Sequence, residues 1–100
     1  MAQQDYSLQI TFHYNSGAKE SFLVTESAEQ SDPYPELREA IQHRLNQQWC
    51  PLHTPDETIY INMANVEHVT VKPTLGESEE EIGFQEAQRV TALTRSSKVL

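Results

Sequence analysis

One hundred residues, 37% apolar and 22% charged with three glycines and five prolines, are enough for one domain around one hydrophobic core and lie outside the disordered and collagenous extremes. Fifteen Asp and Glu against seven Lys and Arg give a net charge of -8, which disfavours a phosphate backbone or an anionic membrane leaflet as partner, since both are held by Lys and Arg. The single cysteine, Cys50, excludes an intrachain disulfide, the start "MAQQDYSLQI" lacks a basic and apolar leader, and no stretch approaches the ~18 apolar residues of a membrane span. The expectation is a soluble, unexported, cytoplasmic protein.

In "SLQITFHY" (7–14), Leu8, Ile10, Phe12 and Tyr14 share one parity and Ser7, Gln9, Thr11 and His13 the other, the period of a half-buried strand. "NSGA" (15–18) supplies turn residues and "KESFLVTE" (19–26) returns with the β-formers Phe22, Val24 and Thr25, so residues 7–26 are predicted to form a hairpin. After the polar connection "SAEQSDPYP", Leu37, Ile41 and Leu45 recur at spacing four in "PELREAIQHRLNQQ" and predict a helix over 35–48 with one apolar stripe. Glu36 and Glu39 near its start and His43 and Arg44 near its end complement the helix dipole, and Pro51 forces it to stop.

"WCPLHTPDE" (49–57) reads as a joint that ends the helix and leads through two prolines to the next strand. In "ETIYINMANVEHVTVKP" (57–73), Ile59 and Ile61 alternate, "NMAN" turns the chain, and Val69 and Val71 return, which predicts a second hairpin. Val66 breaks the parity, and a tight turn just ahead of the last strand accounts for that break. "TLGESEEE" is polar and acidic after Leu75 and predicts a solvated loop. In the last segment Phe84, Ala87 and Thr91 have helical spacing, but "RVTALT" is β-branched and alternating, so a strand over roughly 87–94 is favoured.

The predicted fold class is α+β: an antiparallel sheet built as β-hairpin, helix, β-hairpin and fifth strand, with one helix packed on one face. Residues 1–74 form the core domain, 75–83 an acidic flexible loop, and 84–100 a C-terminal segment that begins as an edge strand and ends as a frayed tail.

The chemistry-bearing side chains gather around position 50. Cys50 and His53 stand in a C-x2-H relation that suits two zinc ligands, but the spacing of His43, His68 and Asp56 calls for no others. As a nucleophile Cys50 would need a lowered pKa, whereas a position after a helix C-terminus favours the thiol. Asp56 and Glu57 suit a turn, Glu79 to Glu81 sit in a loop, and no glycine-rich phosphate loop or hydrolase motif occurs. The four histidines read as half-exposed surface residues, and Trp49 as a core residue rather than an interface anchor. No catalytic residue, cofactor site or metal site is therefore assigned. Residues 83–100 are mildly basic, with Glu86 against Arg89, Arg95 and Lys98.

The stretches "HTPDETIYINMANVEHVTVKP" and "RVTALTR" resemble segments of small uncharacterised soluble proteins of cyanobacteria; the resemblance covers about a third of the chain and implies a lineage without an activity. "TIYINMANVEHVTV" is similar to the closing hairpin of Sm-like and SH3-like small barrels. The Sm-like order places a helix before all strands, whereas here it lies between hairpins.

The function expected is that of a non-enzymatic protein-interaction module, an adaptor, regulator or assembly subunit that binds a protein or a second copy of itself at an open sheet edge, with no membrane contact. Trp49, Cys50, His53, Arg89 and Arg95 are the candidate interaction residues. The alternative is a small barrel that binds nucleic acid through the basic tail, and the third reading is a metal or thiol site at Cys50 and His53.

Overall fold

In the computed structural model, which describes residues 3–75, 84 and 87–90, the chain opens with β1 (Gln4–Tyr14) and β2 (Lys19–Ala28), an antiparallel hairpin longer at both ends than expected. Leu8, Ile10 and Phe12 are buried, as the alternation requires. Thr11, on the opposite parity, is buried as well, because its hydroxyl pairs across the strands with that of Ser21 at 2.7 Å. At the turn the Gly17 N–H donates to the Tyr14 carbonyl and the Tyr14 N–H to the Ala18 carbonyl, both at 2.9 Å, and Gly17 takes φ 95. That left-handed conformation is why a glycine stands there.

The helix α1 (Tyr34–Leu45) buries Leu37 and Ile41 and half-buries Leu45. The Glu36 carboxylate accepts from the N–H groups of Glu29 and Gln30, at 3.2 and 3.3 Å, and so fastens the helix start to the end of β2. The helix ends at Leu45 rather than 48: Asn46 caps it, and the Gln48 carbonyl accepts from the Met63 N–H at 3.0 Å as a new ladder begins.

That ladder corrects the reading of "WCPLHTPDE" as a joint. Trp49–His53 is a strand, β3, paired antiparallel with β4 (Thr58–Asn62). The second hairpin thus lies at 49–62, one element earlier than expected, and β4 and β5 (Val66–Lys72) form no closing hairpin. A 3-10 turn over Met63–Asn65, held by the Asn62 side chain accepting from the Ala64 N–H at 3.1 Å, sends β5 to pair with β1 instead. One sheet has the order β2-β1-β5 and the other is β3-β4. The register passes from His13↔His68 to Tyr14↔Val66, so Glu67 is skipped, and this bulge returns Val66 to the core side with Val69 and Val71.

The expected series of hairpin, helix, hairpin and fifth strand therefore holds with different residues in its second half. The strand expected over 87–94 is absent from 87–90, which have no regular structure, and residues 91–94 lie outside the described residues, as do 76–83 of the expected acidic loop. Leu8, Ile10 and Phe12 of β1, Ile41 of α1, Cys50 of β3 and Ile61 of β4 form one core cluster, with Val69 and Val71 packed against it. Both sheets and the helix share it, and Phe12 meets Phe22 edge-on at 5.9 Å. Among the described residues no helix is long and apolar enough to cross a membrane.

Candidate functional site

The shared core has an opening. Among the described residues β2 and β3 are each an edge strand of their own sheet and no ladder joins them, and between them lies a cavity of about 460 Å³. That volume falls in the range of ligand pockets, roughly 300–1,000 Å³. Residues 22–26 on the β2 side and 50–54 on the β3 side line it without a gap. A sheet face presents alternate residues, whereas an edge presents every one, so the walls of this slot are strand edges. Ile10, Phe12 and Ile41 line it from the core, and α1 contributes Arg44 and Leu45.

The turn geometry tells which backbone groups face the slot. The bond from Tyr14 N–H to Ala18 fixes the ladder phase, so Glu20, Phe22, Val24 and Glu26 bond to β1 while Ser21, Leu23 and Thr25 point their N–H and C=O groups away from it. On the other wall, the bonds from Thr54 N–H to Glu57 (2.8 Å) and from Met63 N–H to Gln48 tie Cys50 and Leu52 to β4, leaving Trp49, Pro51 and His53 outward. Proline has no N–H to offer, which is why one is tolerated at this edge position. The β2 wall keeps a full set of donors and acceptors; the β3 wall lacks its central donor.

Charge is confined to the rim. Arg44 reaches from the end of α1 to Glu26 at 2.8 Å and also donates to the Ala40 carbonyl at 2.9 Å. The Cys50 thiol faces the core, 5% exposed, and burial pushes its pKa up, against a smaller lowering by Arg44. It is a small apolar group here and a poor nucleophile.

The candidate residues divide accordingly. Cys50 lies in the slot with its side chain inward. His53, three positions on, leaves by the opposite strand face, with Nδ1 3.0 Å from the Thr58 hydroxyl, so the two do not converge on one ion. Among the described residues no three His, Cys, Asp or Glu side chains cluster to hold a metal. Trp49 is 48% exposed, which corrects its assignment to the core: Cys50 and Leu52 take the inward parity, and Trp49 is left on the outer face near Pro51 and the exposed Tyr60. Arg89 is exposed, and Arg95 lies outside the described residues.

Sequence reasoning missed Ser21, Leu23 and Thr25. The signal was present in Leu23, a large apolar residue on the polar parity of β2, which is 81% exposed. It also missed a second cluster. On the outer face of the three-stranded sheet His13 lies opposite His68 in one direction and Lys19 in the other, and the imidazoles stack at 4.0 Å. The His13 Nε2 is buried with no hydrogen-bond partner among the described residues, and burial, His68, Lys19 and Arg89 lower its pKa while Glu67 opposes them. Lys72, opposite Gln9, shares that face.

Comparison with protein-family models, curated proteins and solved structures gives no match for this chain.

Proposed function

We propose that this chain is a non-enzymatic protein-interaction module that takes an extended segment of a partner protein into the slot and pairs it with the free edge of β2. One observation carries the reading: Leu23 and Thr25 turn their backbone groups away from β1 toward a cavity that no strand among the described residues fills. An unpaired strand edge is a template for another strand, whose backbone supplies affinity while alternate side chains enter the apolar floor. A net charge of -8 favours a partner with a basic surface. The raised thiol pKa at Cys50 and the divergence of His53 favour binding over catalysis.

A photo-crosslinking side chain in place of Leu23, in protein incubated with native cell extract, tests the reading. The expected result is one recurrent crosslinked protein. Thr25→Pro removes a slot-facing donor without touching the β1 ladder, and should weaken its capture by about 1 kcal/mol, roughly fivefold. Capture unchanged by Thr25→Pro, with crosslinks moving to a probe at Tyr60, would place the interface on the outer face of β3-β4 and end this proposal.

A second reading, single-stranded nucleic acid on the outer face of the three-stranded sheet, is favoured by the gathering of Lys19, Lys72, His13 and His68 there in an otherwise acidic chain. It requires a gel shift that weakens steeply with salt, and no shift at low salt disposes of it.

A further inference from the structure

We propose that His13 and His68 chelate a divalent ion of the imidazole-preferring class, such as zinc, on the outer face of the three-stranded sheet, with the Glu67 carboxylate positioning His68. The site is independent of the slot and of the partner reading above. Register, ring geometry and the surroundings of the ring nitrogens support it.

β1 and β5 set the two histidines directly opposite each other, His13↔His68. Side chains of opposed residues share a sheet face, and here the rings stack at 4.0 Å with 11° between their planes. Glu67 would ordinarily point to the other face, because successive residues of a strand alternate. The register passes from His13↔His68 to Tyr14↔Val66 and leaves Glu67 out of that alternation, and its Oε1 lies 3.3 Å from the Nδ1 of His68. Bulges re-aim side chains in this way beside functional sites. The irregularity that returns Val66 to the core thus gathers two imidazoles and a carboxylate on one spot of the opposite face.

The free ring nitrogens make this pair a chelate. Nε2 of His13 is buried with no hydrogen-bond partner among the described residues, a costly state that a ligand to that nitrogen relieves. The Glu67 carboxylate beside Nδ1 of His68 favours the proton on that nitrogen and leaves the lone pair on Nε2, the carboxylate–histidine arrangement that supports metal-bound imidazoles. Two zinc–nitrogen bonds of about 2.0–2.1 Å span at most about 4.2 Å, so rings stacked at 4.0 Å come within reach of one ion when they tilt toward it. His68 is exposed, which lets its ring make that tilt. Burial, His68 and Lys19 lower the pKa of His13 and so favour the neutral ring, the form that binds a metal. Lys19 faces His13 from β2, and the Glu67 carboxylate offsets its charge. Among the described residues no third His, Cys, Asp or Glu joins the pair as a ligand, so water completes the coordination.

Titration of the full-length protein with zinc chloride, read on the imidazole nitrogen resonances by NMR, tests the proposal. In the metal-free protein His68 should carry its proton on Nδ1. Up to one molar equivalent of zinc should shift the Nε2 resonances of His13 and His68 together and leave those of His43 and His53 in place, and magnesium chloride should move none of them. His68→Gln should weaken zinc binding at least about tenfold, and Glu67→Gln about tenfold through loss of the Nδ1 partner, whereas His53→Gln should leave the affinity unchanged. The amide resonances of Phe12 and Val69 should stay dispersed in the variants, which shows that they fold. Zinc that shifts only one of the two rings, or binds His68→Gln as tightly as the wild type, overturns the proposal. A His68 protonated on Nε2 in the metal-free protein, or an affinity untouched by Glu67→Gln, overturns the role given to Glu67 and with it the proposal.

Discussion

His13 stands in a place where a charged ring would meet other cations, and burial together with those charges lowers its pKa. His68 stacks on it from β5 and Lys19 faces it from β2, Arg89 adds a further positive charge, and the Glu67 carboxylate acts against them. With its folded-state pKa below the ordinary value of about 6.5, the unfolded chain binds the proton more readily. The contribution to stability is complete above that ordinary value and is lost as pH falls from it toward the lower folded pKa. Urea midpoints measured from pH 8 to pH 5 should therefore decline below about 6.5, and His13→Gln should flatten the decline; parallel curves for the two proteins refute the assignment. Cys50 supplies a second check. Its buried thiol should be labelled far more slowly than that of the urea-unfolded chain, and labelling as fast in native buffer would contradict the packing at the slot.

At the scale of elements, the first hairpin rests on one backbone conformation. Gly17 has φ +95, and apart from its two chain neighbours nothing lies within 4 Å of where a Cβ would stand, so Gly17→Ala meets conformational strain and no steric clash. It should cost about 1 kcal/mol in chemical denaturation, and Gly17→Asn less, since asparagine tolerates the left-handed region. This hairpin and the helix were legible in the sequence because each carries its own period: Leu8, Ile10 and Phe12 at spacing two, Leu37, Ile41 and Leu45 at spacing four. β3 was not. Cys50 and Leu52 alternate with Trp49 and His53 as a strand requires, but Pro51 among them reads as a break unless its neighbour is known to be absent on the side where its N–H would point. The pairing of β5 was equally hidden, since Val69 and Val71 alternate in the same way whether the partner is β4 or β1. The 3-10 turn at Met63–Asn65 makes the choice, and its effect is long-range.

For the whole molecule, the shared core makes the two sheets one unit although no ladder joins β2 to β3. Phe12 is 1% exposed at its centre, and Phe12→Ala should destabilise the fold by about 3–5 kcal/mol. If the sheets unfold together, the exchange of core amides in β1 and in β4 should accelerate by the same factor; acceleration confined to the β2-β1-β5 sheet would show two independent units. The slot is a property of this scale alone. Ser21, Leu23 and Thr25 lie more than twenty residues from Trp49, Pro51 and His53 in sequence, and neither group announces that the other stops short of pairing with it. Leu23 could mark an exposed apolar position, but only the assembled core shows that it borders a cavity.

Pro51 gives that cavity two unlike sides. A segment zipped to β2 finds no amide hydrogen at the middle of the opposite wall, so it cannot become a fully bonded central strand welding the two sheets into one. If the proposed pairing forms, the segment stays attached along one margin and is free to peel away bond by bond from either end, so the cavity's occupants would be exchanged instead of entombed.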